Sequence, residues 1–186
     1  MATRGFRRTP TGRLVLRLEP EEREALLALL EQIEQLVAPE PADPDADPLA
    51  ALVGIDRAAV RPDSPVLLRL FPDGYADDDG ASDEFRRYTE RSLRATKSAH
   101  ARTARATLLR SGDKVVISQE EAQSWLGTLN DIRLALGTTL GLTEEAQEEF
   151  EGLAADDPRA AGYHLYGWLT WLQDGLVSSL MEGAGG

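Results

Sequence analysis

The stretch SQEEAQSWLGTLNDIRLALGTTLGL, residues 118–142, decides the fold. Ser118 and Glu121 have the spacing of a capping box, in which each side chain meets a backbone N–H at a helix start. Behind them Ala122, Trp125, Leu129, Ile132, Leu136 and Leu140 recur at helical spacing, which gives one continuous apolar face. Gly141 stands where a helix ends in the left-handed conformation. This is the central helix, and the other elements are expected to pack around it.

Working back towards the N-terminus, Lys114 to Ile117 reads as a short strand, and residues 13–18 (RLVLRL) alternate as a second. A third is expected near Phe6, with Thr11-Gly12 as the hairpin turn between them. Pro20 and the acids around it open a helix reaching about residue 38 on Leu26, Leu29, Leu30, Ile33, Leu36 and Val37. Residues 39–48 (PEPADPDADP) hold four prolines and four acids and read as a flexible acidic loop. That loop is either a solubilising connector or a mobile arm that shields basic surface. Residues 49–55 suggest a short helix and residues 65–72 an apolar anchor of one or two turns. Residues 82–109 form a long helix with Ser82 as cap and a thin buried face of Phe85, Tyr88, Ala95, Ala99, Thr103 and Ala106. Beyond the central helix, Thr143 opens another helix, broken at Asp156-Asp157-Pro158. The last runs over residues 160–181 on Tyr166, Leu169, Leu172, Leu176 and Leu180. The expected architecture is mainly α, five to six helices around residues 118–142, with a small two- or three-stranded antiparallel sheet. One domain over residues 1–186 is expected, frayed at 1–5 and 183–186.

Composition excludes several classes. The chain has no cysteine, so disulfides, thiolate metal sites and thiol nucleophiles are out, and a reducing cytoplasm is the fitting compartment. No apolar run approaches the roughly 18 residues of a membrane span, and no signal peptide is legible. The net charge of −12 opposes indiscriminate nucleic-acid binding. The charge is nevertheless segregated. Residues 1–17 and 84–110 are basic, whereas residues 18–83 and 111–186 are acidic.

The basic long helix carries the sharpest candidate site. Arg87, Arg91, Arg94, Arg102 and Arg105 fall within about 80° of arc at 100° per residue. Such a stripe suits a nucleic-acid backbone or an acidic protein surface, or else it pairs with the chain's own acids. Arg4, Arg7 and Arg8 form either a minor-groove arm or a frayed basic terminus. Asn130, Asp131 and Arg133 interrupt the central helix and read as a structural polar network towards other elements. Trp168 and Trp171 add apolar surface beyond one core face of the last helix, which predicts a homodimer interface there. Asp77 to Asp79 lack the alternate spacing of a calcium loop and read as helix N-terminal acids. His100 and His164 stand in no metal spacing, and nucleotide-binding glycine loops and nucleophile elbows are missing. Neither metal nor cofactor is expected, and the protein is not expected to be an enzyme.

The blocks RLFPDGYADDDGASDEFRRYTE, SWLGTLNDIRLALGTTLG and YGWLTWLQDGLV, in that order, resemble the actinobacterial AosR-like proteins. The resemblance covers about residues 15–177. It implies a cytoplasmic oxidative-stress-responsive transcriptional regulator that works with the transcription machinery, a sigma factor or RNA polymerase, and/or promoter DNA. Its implied target is a set of cysteine-biosynthesis genes. The family's redox switch is an intramolecular cysteine pair, which this chain lacks. The second reading, from the charge, is an adaptor that does not bind DNA and meets an acidic partner through its Arg-rich helix face.

Overall fold

The computed structural model describes residues 4–39, 59–110, 112, 114–143, 152–154 and 156–184. The first strands, β1 (Gly5–Arg8) and β2 (Leu14–Arg17), form an antiparallel hairpin with Phe6 opposite Leu16. The turn closes through Gly12, whose φ of 79° is one that L side chains rarely adopt. Strand β3 (Val115–Ile117) lies on the other side of β2, with Leu16 opposite Val115, which completes a three-stranded antiparallel sheet. Period-2 alternation turns Phe6, Leu14, Leu16, Val115 and Ile117 into one core cluster.

Five helices are seen among the described residues: α1 (Pro20–Val37), α2 (Pro65–Leu70), α3 (Asp79–Leu108), α4 (Gln119–Leu140) and α5 (Ala160–Ala184). Helix α4 touches the other four, which makes it the central element. Its start is the reciprocal capping box: Glu121 N–H donates to Ser118 Oγ (3.1 Å), and Ser118 N–H donates to a Glu121 carboxylate oxygen (2.8 Å). It ends at Gly141, left-handed at φ 68°, with Leu142 N–H bonded back to Gly137 O. Ala122, Trp125, Leu129 and Ile132 are fully buried, whereas Leu136 and Leu140 are only partly covered. Leu26, Leu30, Ile33 and Val37 of α1, and Leu169, Leu172 and Leu176 of α5, close the same core.

Two close approaches depend on glycine. A Cβ on Gly5, whose φ is 83°, would lie 2.7 Å from the Trp171 ring, so β1 and α5 meet across that residue. Gly127 lets His100 of α3 approach α4, where a Cβ would stand 3.0 Å from Nδ1.

Several expectations need correction. Helix α3 begins at Asp79, not Ser82. Asp78 is its cap, accepting from Ala81 N–H at 2.9 Å, while Ser82 is buried and bonded to the backbone of Tyr75. Its buried face is not the expected one: Phe85, Tyr88, Ala95, Ala99 and Ala106 point to solvent and Thr103 is half-buried. Ser82, Arg86, Glu90, Arg94, Ser98, Ala101, Ala104, Thr107 and Leu108 face inwards instead. At the ends of the described residues Gly5 pairs with Arg17 and α5 runs through Ala184. The expected loop at 39–48, apart from Pro39, the short helix at 49–55 and nearly all of the helix opened by Thr143 lie outside the described residues.

Candidate interaction surface on the long helix

The inward face of α3 explains why its arginines divide. Glu90 lies between Arg86 and Arg94, one helical turn away on each side, and hydrogen-bonds both guanidiniums; the Arg94 bond is 2.8 Å. Arg86 also reaches Asp73 at 2.8 Å and the Phe71 carbonyl at 3.2 Å, and the Arg94 guanidinium sits 4.3 Å over the Phe71 ring. The hydrogen bond from Arg86 holds the Asp73 carboxyl below its ordinary value, in concert with Arg61 at 2.8 Å. Buried charges are tolerated here because each meets an opposite charge and donors with few bonds left over.

Arg94 therefore does not belong to the exposed stripe. At 8% exposure it is part of the core ladder, and its membership of a binding face is corrected accordingly. The other four stay at or near the surface. Arg87 and Arg102 are exposed, Arg91 and Arg105 are half-buried, and Arg102 approaches Glu34 of α1 only to 3.9 Å.

Beside those four arginines runs the apolar strip that was expected inside. Phe85 is 46% and Tyr88 55% exposed, and Tyr75 stacks edge-on against Phe85 at 6.2 Å. Ala95, Ala99 and Ala106 continue the strip along the helix. The outward face of α3 thus presents aromatic rings, then small side chains, with guanidiniums on one flank. Both the strip and the arginines are legible in the sequence, but the strip lies on the outer side of α3, not the expected inner one. The legible signal for the true inner face was the spacing of Arg86, Glu90 and Arg94, which stacks one acid between two bases.

The polar residues of α4 serve two neighbours. Asp131 is buried and pairs with Lys97 of α3 at 2.5 Å. Burial pushes its carboxyl pKa up, against the opposing pull of Lys97. Arg133 points to α5, donating to Thr170 Oγ1 (3.0 Å), Gln173 Oε1 (2.8 Å) and Tyr166 OH (3.2 Å). Asn130 is exposed. On α5, Trp168 is half-buried against the core and Trp171, 47% exposed, covers Gly5.

Near the termini of the sheet, Arg4 pairs with Glu19 and Glu22, Arg8 bonds the Ser179 and Gly12 carbonyls, and Arg7 is exposed. Among the described residues no group of three or more His, Asp or Glu could hold a metal ion, and no helix is long and apolar enough to cross a membrane.

Residues 3–180 match the family described as a domain of unknown function, DUF2017. The chain is 32% identical over 150 residues to the oxidative stress regulator AosR of Mycobacterium tuberculosis, covering 73% of this chain and 67% of that protein. The same figures hold for the AosR of Mycobacterium bovis. The putative oxidative stress regulator AosR of Mycobacterium leprae is 32% identical over 149 residues, with the same coverage. No solved structure matches the chain.

Proposed function

The chain belongs to the AosR-like family, the one described as DUF2017, and from that premise we propose that it is an oxidative-stress regulator of transcription that works by protein contact. Its partner is an acidic surface of the transcription machinery, on a sigma factor or RNA polymerase, seated on the outward face of α3. The observation that carries this reading is the composition of that face: exposed Phe85 and Tyr88 beside Arg87, Arg91, Arg102 and Arg105. Aromatic residues and arginine dominate the energetics of protein interfaces, whereas a phosphate backbone uses the guanidiniums and has no use for the rings or the alanine strip. The net charge of −12 also works against direct DNA binding.

The site of action is the cytoplasm, the regulated genes include those of cysteine biosynthesis, and no catalytic step belongs to the proposal. This chain has no thiol, so the stress signal reaches it by a route other than oxidation of its own cysteines.

The test is a triple Ala substitution of Arg87, Arg91 and Arg102. Two of the three positions are exposed and Arg91 is half-buried, and surface changes of this kind shift stability by about 0.5 kcal/mol or less each, so the fold should survive while binding to RNA polymerase holoenzyme falls steeply. A complex that resists nuclease, with a shallow salt dependence, supports the protein partner. Loss of the complex on nuclease treatment, with log K falling steeply against log salt, assigns the face to DNA instead. Unchanged binding in the triple variant removes the face from the function.

The proposal also includes a homodimer through α5, where Trp171, Val177 and Met181 are exposed. Light scattering at micromolar concentrations should give twice the chain mass, and a monomer mass eliminates this part.

A further inference from the structure

Away from α3, a cleft of about 490 Å³ opens between α4, the residues after Gly141 and the first turns of α5. Arg133, Leu142, Thr143, Tyr163, Tyr166 and Thr170 line it. Arg133 is the only cation among these lining residues. Its three partners, Thr170, Gln173 and Tyr166, are all uncharged, and the Tyr166 ring lies 5.2 Å from the guanidinium carbon. Among the described residues, half-buried Arg8 and Arg23 bond only backbone carbonyls, whereas the inward cations of α3 meet carboxylates. Arg86 and Arg94 meet Glu90, and Lys97 meets Asp131.

A guanidinium carries five N–H donors, and three are spent on neutral oxygens here. The other two have no acceptor, and the charge no carboxylate, among the described residues. The group is also fixed in place. Thr170 Oγ1, which accepts from Arg133 Nε, itself donates to the Tyr166 carbonyl at 2.9 Å. A partly buried charge held rigidly by hydroxyls and an amide is a preorganised fork without its anion.

We propose that this cleft binds a small monocarboxylate with an apolar or aromatic body, its carboxylate on Arg133. One cation balances one negative charge, and a phosphate dianion would lack a second cation among the described lining residues. Tyr163, Tyr166 and Leu142 offer the walls for an apolar body, and the volume falls within the roughly 300–1,000 Å³ of small-molecule sites. The site is independent of the α3 face, so either assignment can fail without the other.

The experiment uses the full chain, with benzoate and hexanoate as probes and sodium acetate, chloride and phosphate at matched ionic strength as controls. Thermal melts and saturation-transfer NMR report binding. At saturation benzoate or hexanoate should raise Tm by roughly 4 °C or more, acetate by less, and chloride and phosphate not at all. Arg133→Met should abolish the response, and Arg133→Lys, which keeps the charge but loses the fork, should weaken it about tenfold or more. If Arg133→Met fails to fold, Thr170→Val serves in its place. It removes one tether of the guanidinium and should weaken benzoate binding several-fold. No shift beyond the chloride control, a shift that survives in Arg133→Met, or unchanged affinity in Thr170→Val overturns the proposal.

Discussion

Trp125→Ala should lower Tm by on the order of 10 °C. Trp125 is fully buried on α4, meets the Phe6 ring of β1 edge-on at 5.5 Å, and donates from Nε1 to Thr107 Oγ1 of α3 at 2.8 Å. One side chain thus ties the central helix to the sheet and to the long helix. Truncating a buried Trp to Ala costs about 3–5 kcal/mol through lost transfer energy and the cavity left behind. In a chain of this size each kcal/mol shifts Tm by about 2–4 °C. Trp125→Phe keeps a six-membered ring but loses the hydrogen bond and part of the indole volume, so its cost should lie between the roughly 0.5–1.5 kcal/mol of the hydrogen bond alone and the cost of the Ala variant. Thr107 keeps its own bond to the Ala104 carbonyl, so its hydroxyl is not stranded. Chemical denaturation of the two variants beside Trp171→Ala gives the comparison. A Trp125→Ala loss no larger than that of the half-exposed Trp171 would mean that the core is centred elsewhere.

The elements that were legible from sequence share one property: local chemistry and burial point the same way. In α4 the capping box, the apolar spacing and the terminal Gly141 all agree, and each stands as expected. Strands β1, β2 and β3 read correctly for the same reason, because their inward residues are the apolar ones. Helix α3 is where the rule broke. Periodicity assigns the inner face to whatever is least polar, and on α3 that is Phe85, Tyr88 and the alanines. The molecule instead buries Arg86, Glu90 and Arg94, which are acceptable inside only as a mutually neutralising set. That pairing requires Asp73 and Phe71, which lie ahead of the helix and outside any single-helix window. The candidate site inherited the error in one residue. Four of the five arginines stay at or near the surface, and Arg94 does not. Arg133 was readable as a polar interruption of an apolar face, but its uncharged partners on α5 needed the tertiary structure.

Glu90→Ala should destabilise the protein by about 3–5 kcal/mol, the cost expected when one partner of a buried charge set is removed. The reason lies in what stays behind. Arg86 is 4% and Arg94 8% exposed, and both hydrogen-bond the Glu90 carboxylate. Without it two guanidiniums share a nearly dry space, with Asp73 left to balance Arg86 and only the Phe71 ring and the edge of α1 near Arg94. Replacing the set together, as Arg86→Met, Glu90→Leu and Arg94→Met, removes the charges along with their counter-charge. That triple variant should be near neutral or more stable, as buried ion sets exchanged for apolar side chains often are. The contrast between single and triple variants is the diagnostic, read as ΔG from urea unfolding. If Glu90→Ala costs under about 0.5 kcal/mol, as an exposed change would, the ladder is not closed in solution. Arg94 would then return to the surface stripe. If the contrast holds, Arg94→Ala should weaken partner binding only by unfolding the protein, whereas Arg87→Ala should weaken it with the fold intact.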